Sequence, residues 1–82
     1  SMTNFPPTKR QLDIFRILDD YYTKNFTMPS HREIGETANI SSLSVVNRHL
    51  VALEEKGFIE RQKGRQMAIR LLKNLDGSAR IN

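Results

Sequence analysis

A mostly α-helical chain that closes with a small β-hairpin is what this sequence predicts, and three observations predict it. Thr8 with Gln11, and Ser30 with Glu33, form two capping boxes, each opening a stretch of helical periodicity. A third stretch, Ser41–Gly57, carries Leu43, Val46, Leu50 and Leu53 at helical spacing and stops at Lys56-Gly57, a cation near the C-terminal dipole followed by a left-handed glycine. Beyond it, Phe58–Gln62 and Gln66–Leu72 read as strands joined by the turn Lys63-Gly64-Arg65.

Composition narrows the class. The 82 residues make one small domain, with nothing in them to support a second. A formal charge of +4 favours an anionic partner mildly, so its distribution matters more than its sum. With no cysteine, a disulfide framework and thiolate metal sites are excluded. No apolar run approaches the roughly 18 residues of a membrane span, and the expected location is cytoplasmic, on the nucleoid.

Residues 1–7 are expected to be extended or disordered, since Pro6 and Pro7 disfavour helix before them. Helix 1 should then run from about Lys9 to Thr23, with Leu12, Ile14, Phe15, Leu18, Tyr21 and Tyr22 at core spacing. Helix 2 follows Pro29, at about His31–Ala38, with Ile34 and Ala38 inward. Gly35 and Ala38 are small enough to let another helix come close. Asn39-Ile40-Ser41 is a short connection with Asn39 suited to a left-handed turn, and Ser41 or Ser42 caps helix 3. Two short helices so joined, the second amphipathic, make a helix-turn-helix.

Helix 3 carries the functional signal. Opposite its apolar stripe lie Ser44, Asn47, Arg48 and Val51, with Ser41 and Val45 on one flank and no acid in its first half. Such side chains suit the edges of base pairs: Arg forks onto guanine, Asn onto adenine, Ser onto either, and Val meets a thymine methyl. The hairpin adds Arg61, Lys63, Arg65, Arg70 and Lys73, again without an acid between them, a natural contact for phosphates or a minor groove. Residues 73–82 show neither period nor caps and are expected to be a flexible tail or the start of a linker.

Catalytic readings find no support in the residues. His31 and His49 lie on different helices with no acid pair at ligand spacing, so neither a metal nor a cofactor is expected. His49 flanks the helix 3 stripe as a half-buried packing residue. Asp19-Asp20 and Glu54-Glu55 are neighbours that point apart on a helix, and read as solvated charges.

Residues 8–72 resemble the N-terminal winged helix-turn-helix domain of LexA-type repressors. The family's T-x-x-Q is found at Thr8–Gln11, its M-P-x-x-x-E-I at Met28–Ile34, its H-L-x-A-L-x-x-K-G at His49–Gly57 and its I-R-L-L at Ile69–Leu72. The resemblance implies a repressor of DNA-damage (SOS) genes that binds a palindromic operator in double-stranded DNA as a dimer, with no peptidase domain in this chain. It places base reading on Ser41, Ser42, Ser44, Val45, Asn47 and Arg48. Backbone contacts fall on Ser30, His31 and Arg32 and on the wing at Arg61, Lys63, Arg65 and Gln66. The glycine the family usually has after helix 1 is missing, and Asn25 is expected to substitute.

The fold expected is a winged helix-turn-helix of three helices and a two-stranded antiparallel wing, spanning residues 8–72. It is expected to be a non-enzymatic monomer as this fragment, binding DNA and no membrane, and to pair on DNA or in a full-length protein. Two rivals remain: a winged-helix protein-interaction module whose basic wing serves solubility, and a phage or plasmid regulator of the same fold with no SOS role.

Overall fold

The computed structural model describes residues 5–62 and 68–81. In chain order these form α1 (Lys9–Asn25), α2 (His31–Ala38), α3 (Leu43–Glu55), β1 (Ile59–Gln62) and β2 (Ala68–Leu71). The two strands pair antiparallel, with Ile59 opposite Leu71 and Gln62 opposite Ala68. Three helices and a hairpin in this order are the winged helix-turn-helix expected from the sequence.

Both capping boxes form. Thr8 accepts from the Gln11 backbone N–H at 3.1 Å while Thr8 N–H donates to the Gln11 side chain at 2.9 Å; Ser30 and Glu33 repeat the exchange at α2. Each box satisfies two backbone donors that the first turn would otherwise leave open. At the far end of α1, Phe26 takes the left-handed conformation at φ 58°, not Asn25. Asn25 is used differently: its Nδ2 donates to the Tyr21 carbonyl at 3.1 Å, and Thr23 Oγ1 donates to Asp19 O at 2.8 Å. The helix runs past Thr23 to Asn25 and closes where Phe26 N–H donates to Tyr22 O at 2.8 Å. Tyr22, expected inward, is 41% exposed, and the buried α1 residues are Ile14, Phe15 and Leu18.

Between α2 and α3 the chain turns with no room to spare. Asn39 is left-handed at φ 60°, and Ile40 N–H donates to Gly35 O at 2.8 Å. A β-carbon on Gly35 would lie 2.6 Å from the Ile40 carbonyl oxygen. α3 then begins at Leu43 with Ser42 as its cap residue, although no side-chain bond completes that cap; the Ser42 and Ser44 hydroxyls lie 2.8 Å apart instead. Leu43 departs from its expected place in the stripe and is 50% exposed. It sits in the first turn, beside Ile40, Arg32 and Glu36 in an open depression, so burial begins one turn later at Val46 and continues through Leu50 and Leu53.

Gly57 ends α3 at φ 78°, and Phe58 N–H returns to Leu53 O at 2.9 Å. This closure throws Phe58 and Ile59 into the core, which gathers Ile14, Phe15 and Leu18 from α1, Ile34 and Ala38 from α2, the α3 stripe, and Ile69 and Leu71 from β2. Phe15 and Phe58 meet edge to face with centroids 5.4 Å apart, a favoured aromatic geometry. Lys56, expected to serve the dipole of its own helix, crosses to α1 and donates to Gln11 Oε1 at 2.6 Å.

Residues 73–81 are not the flexible tail that their lack of periodicity suggested. Lys73 bridges Ala79, Asn74 N–H donates to Ser78 O at 2.9 Å, and Gly77 turns the chain at φ 87°. Arg80 then reaches Asp19 of α1 at 2.8 Å, with side chains only 17% and 22% exposed. Local polar bonds and one shielded ion pair hold this segment, so the folded unit continues beyond Leu72. Asp19, read as a solvated charge, is Arg80's partner.

The turn yields a stability prediction. Replacing a helical glycine by alanine ordinarily gains about 0.5–1 kcal/mol, but at Gly35 the obstruction is backbone, which cannot rotate away. Gly35→Ala should therefore be net destabilising by about 1–3 kcal/mol, lowering the melting temperature by roughly 4–8 °C per kcal/mol in a domain of this size. A thermal melt at or above that of the parent would contradict the close approach.

Candidate nucleic-acid interface

The outer surface of α3 is built by the burial of its other side. With Val46, Leu50 and Leu53 committed to the core, Ser44, Asn47 and Arg48 are left exposed, together with Ser41 and Ser42 ahead of the helix. Val45 and Val51 are half-buried on the flanks. From Ser41 to Arg48 no acidic side chain interrupts this surface. An anionic polymer can therefore approach it without repulsion.

The start of α2 presents Ser30 and Arg32 exposed and His31 half-buried. Ser30 is partly engaged, since its backbone N–H and hydroxyl oxygen both serve the exchange with Glu33. Hydrogen bonding from Ser30 to the Glu33 carboxyl, from its backbone N–H first and its hydroxyl second, holds that carboxyl below its ordinary range, with a smaller contribution from Tyr21. His31 Nε2 is buried and has no hydrogen-bond partner among the described residues. Burial lowers the pKa of His31 first and the charge of Arg61 second; His49 is lowered by burial, then by Arg10 and Arg48.

The hairpin departs most from expectation. Arg61 was expected at a phosphate, yet its side chain lies against α3. Its Nε donates to Glu54 Oε1 at 3.0 Å, its backbone N–H to Glu54 Oε2 at 3.3 Å, and its Nη1 to Asn47 Oδ1 at 2.8 Å. Glu54, read as a solvated charge, is thus the anchor of a polar bridge from β1 to the exposed face of α3. Its signal in the sequence was the turn itself: a helix that folds straight back into a strand through Gly57 brings its last turn beside the first strand residues. Arg70 pairs with Glu60 across the strands at 2.9 Å on an exposed surface, and Lys73 Nζ lies 5.0 Å from the centre of the Phe58 ring. The remaining wing candidates, Lys63, Arg65 and Gln66, lie outside the described residues. Among the described residues no group of three His, Cys, Asp or Glu side chains could hold a metal ion, and no helix is long and apolar enough to cross a membrane.

The two histidines give a pH prediction with a definite sign. Both have folded-state pKa values below the ordinary 6.5, so on acidification the unfolded chain binds protons first. Their contribution to stability is complete above about pH 6.5 and is lost as pH falls from there toward the depressed folded values. Melting temperatures measured from about pH 7.5 downward should fall through this window, and replacing both His31 and His49 with Gln should flatten the curve. A parent protein with pH-independent melting in that range would contradict the assignment.

Comparison with known proteins agrees with this geometry. The family model described as the LexA DNA binding domain matches residues 4–68. The LexA repressor of Bacillus licheniformis is 43% identical over 65 residues, covering 79% of this chain and 31% of that protein. That of Bacillus velezensis is 46% identical over 66 residues, covering 79% and 32%. The LexA repressor of Thermotoga maritima is 37% identical over 68 residues, covering 83% and 34%. The chain thus spans about a third of the length of these curated relatives. With a matching family model across most of its length and a third helix whose exposed surface carries no acid from Ser41 to Arg48, the chain belongs to the LexA DNA-binding-domain family.

Proposed function

We propose that this chain binds double-stranded DNA sequence-specifically, as the DNA-binding part of a transcriptional repressor of DNA-damage (SOS) genes. The observation that carries the reading is the exposed face of α3, where Ser44, Asn47 and Arg48 stand clear of the core with no carboxylate from Ser41 to Arg48. An α-helix fits the major groove, where each base pair presents its own pattern of donors and acceptors. Ser41, Ser42, Ser44, Val45, Asn47 and Arg48 read bases. Ser30, His31 and Arg32 approach the phosphate backbone from the start of α2. Lys63, Arg65 and Gln66 do so from the wing, on sequence grounds alone. Repression follows from occupying the operator, and no covalent step is needed from this chain.

One observation favours a protein-binding surface instead, the 50% exposure of Leu43 on α3. It is a single apolar side chain beside serines. Patches that mark protein interfaces run to several hundred Å², and a leucine at the front of a recognition helix is equally suited to a thymine methyl.

Binding titrations at several salt concentrations, on a selected site and a scrambled one, test the assignment. Arg48→Ala should lose about 1–3 kcal/mol on the selected site and little on the scrambled one. Arg32→Ala should weaken both alike and reduce the salt slope by about one unit. Equal, sequence-independent losses for the two variants would remove α3 as the reading element. The helices spend their apolar stripes within one core, so the chain should sediment as a monomer and fill a two-fold palindrome as two adjacent copies. A tight dimer without DNA would reject that arrangement.

A further inference from the structure

The bond between Arg61 and Asn47 changes what Asn47 can read, an inference that rests on α3 reading bases as proposed above. A carboxamide that recognises adenine uses both its ends, accepting from N6–H and donating to N7. Here the accepting end is already engaged. Asn47 Oδ1 accepts from Arg61 Nη1 at 2.8 Å, a charge-assisted bond of the stronger kind. Arg61 is itself held from behind, because Glu54 accepts from its Nε and from its backbone N–H. The Arg61 and Glu54 side chains are 26% and 38% exposed, so the pair is partly shielded from water. Reversing the Asn47 amide would set its NH2 against the guanidinium, donor against donor. The Arg61 Nη1 donor, held in place by Glu54, therefore decides which end of Asn47 is presented.

We propose that Arg61 is a positioning residue for base recognition: it turns the Asn47 carbonyl toward β1 and leaves the amide NH2 as the end offered to DNA. A side chain offering donors alone selects an edge rich in acceptors. In the major groove that edge is guanine, with N7 and O6 side by side, in preference to adenine, where N6–H2 would face another donor. The planar guanidinium can hold Glu54 and Asn47 at once through Nε and Nη1. A lysine ammonium at this position keeps the charge but cannot reproduce that fork.

The test is an unbiased selection of bound duplex DNA with the whole chain and with Asn47→Ala, Arg61→Lys, Arg61→Met and the Asn47→Ala/Arg61→Lys double variant, with a thermal melt of each. Asn47→Ala identifies the base-pair position that depends on Asn47. At that position the parent should prefer guanine, and both Arg61 variants should move the preference toward adenine by about five-fold, the lower end of what a good base contact discriminates. Other positions should not change, and the double variant should match Asn47→Ala there. An adenine preference in the parent at that position overturns the proposal, as does an unaltered preference in Arg61→Lys. A uniform loss across all sites would make Arg61 a phosphate contact, and changes scattered over many positions with a lowered melting temperature would make it purely structural; either result overturns the proposal. Failure of the parent to enrich any motif would instead reject base reading by α3, and this inference with it.

Discussion

Everything on the binding side of this molecule depends on how closely the Ile40 carbonyl approaches Gly35. The missing side chain at Gly35 lets the connection fold flat against α2, with Ile40 N–H returned to the Gly35 carbonyl. That contact sets where α3 starts and how it rolls, and Val46 and Leu50 reach the core only because the roll is right. The outward positions of Ser44, Asn47 and Arg48 are the complement of that burial. The buried stripe and the exposed face are thus two sides of one helix, and a shift of the helix would be felt by both.

How much of this was legible in the sequence follows from how local each determinant is. Capping boxes act within three residues, so Thr8–Gln11 and Ser30–Glu33 announced α1 and α2 directly. Periodicity located the buried faces, and Gly57 and Asn39 were readable as left-handed positions. Features that depend on a partner distant in the chain were not readable. Nothing near Arg80 points to Asp19, 61 residues earlier, so an aperiodic segment looked unstructured. Leu43 shows the opposite error: its spacing matched the stripe, but a spacing rule cannot tell that the core ends one turn short of it.

The candidate site was legible to a similar degree. Which side chains face outward on α3 follows from helical geometry, and the absence of acids there is visible in the residues themselves. The wing was harder, because a run of cations looks free until its partners are placed. Arg61 and Arg70 each find a carboxylate, one on α3 and one on the opposite strand. Exposed pairs such as Arg70 with Glu60 contribute at most about 1 kcal/mol to stability, and exchange readily for a phosphate. The Arg61 bridge differs in that it reaches Asn47 on the exposed face of α3.

The ion pair between Arg80 and Asp19 also has a mechanical meaning. Arg80 is fastened to α1 and, through its backbone N–H, to Leu72 O. A pull applied to the C-terminal side of residue 80 therefore loads α1, Leu72 and the Lys73–Ala79 bridge together. Strands peel apart one bond at a time when tugged from an end, whereas a load spread over a helix and a bridge is shared. The segment works as a strain relief, as the clamp on a cable does, because α1 takes up part of the tension that would otherwise fall on the hairpin and on the Arg61 bridge that joins it to α3.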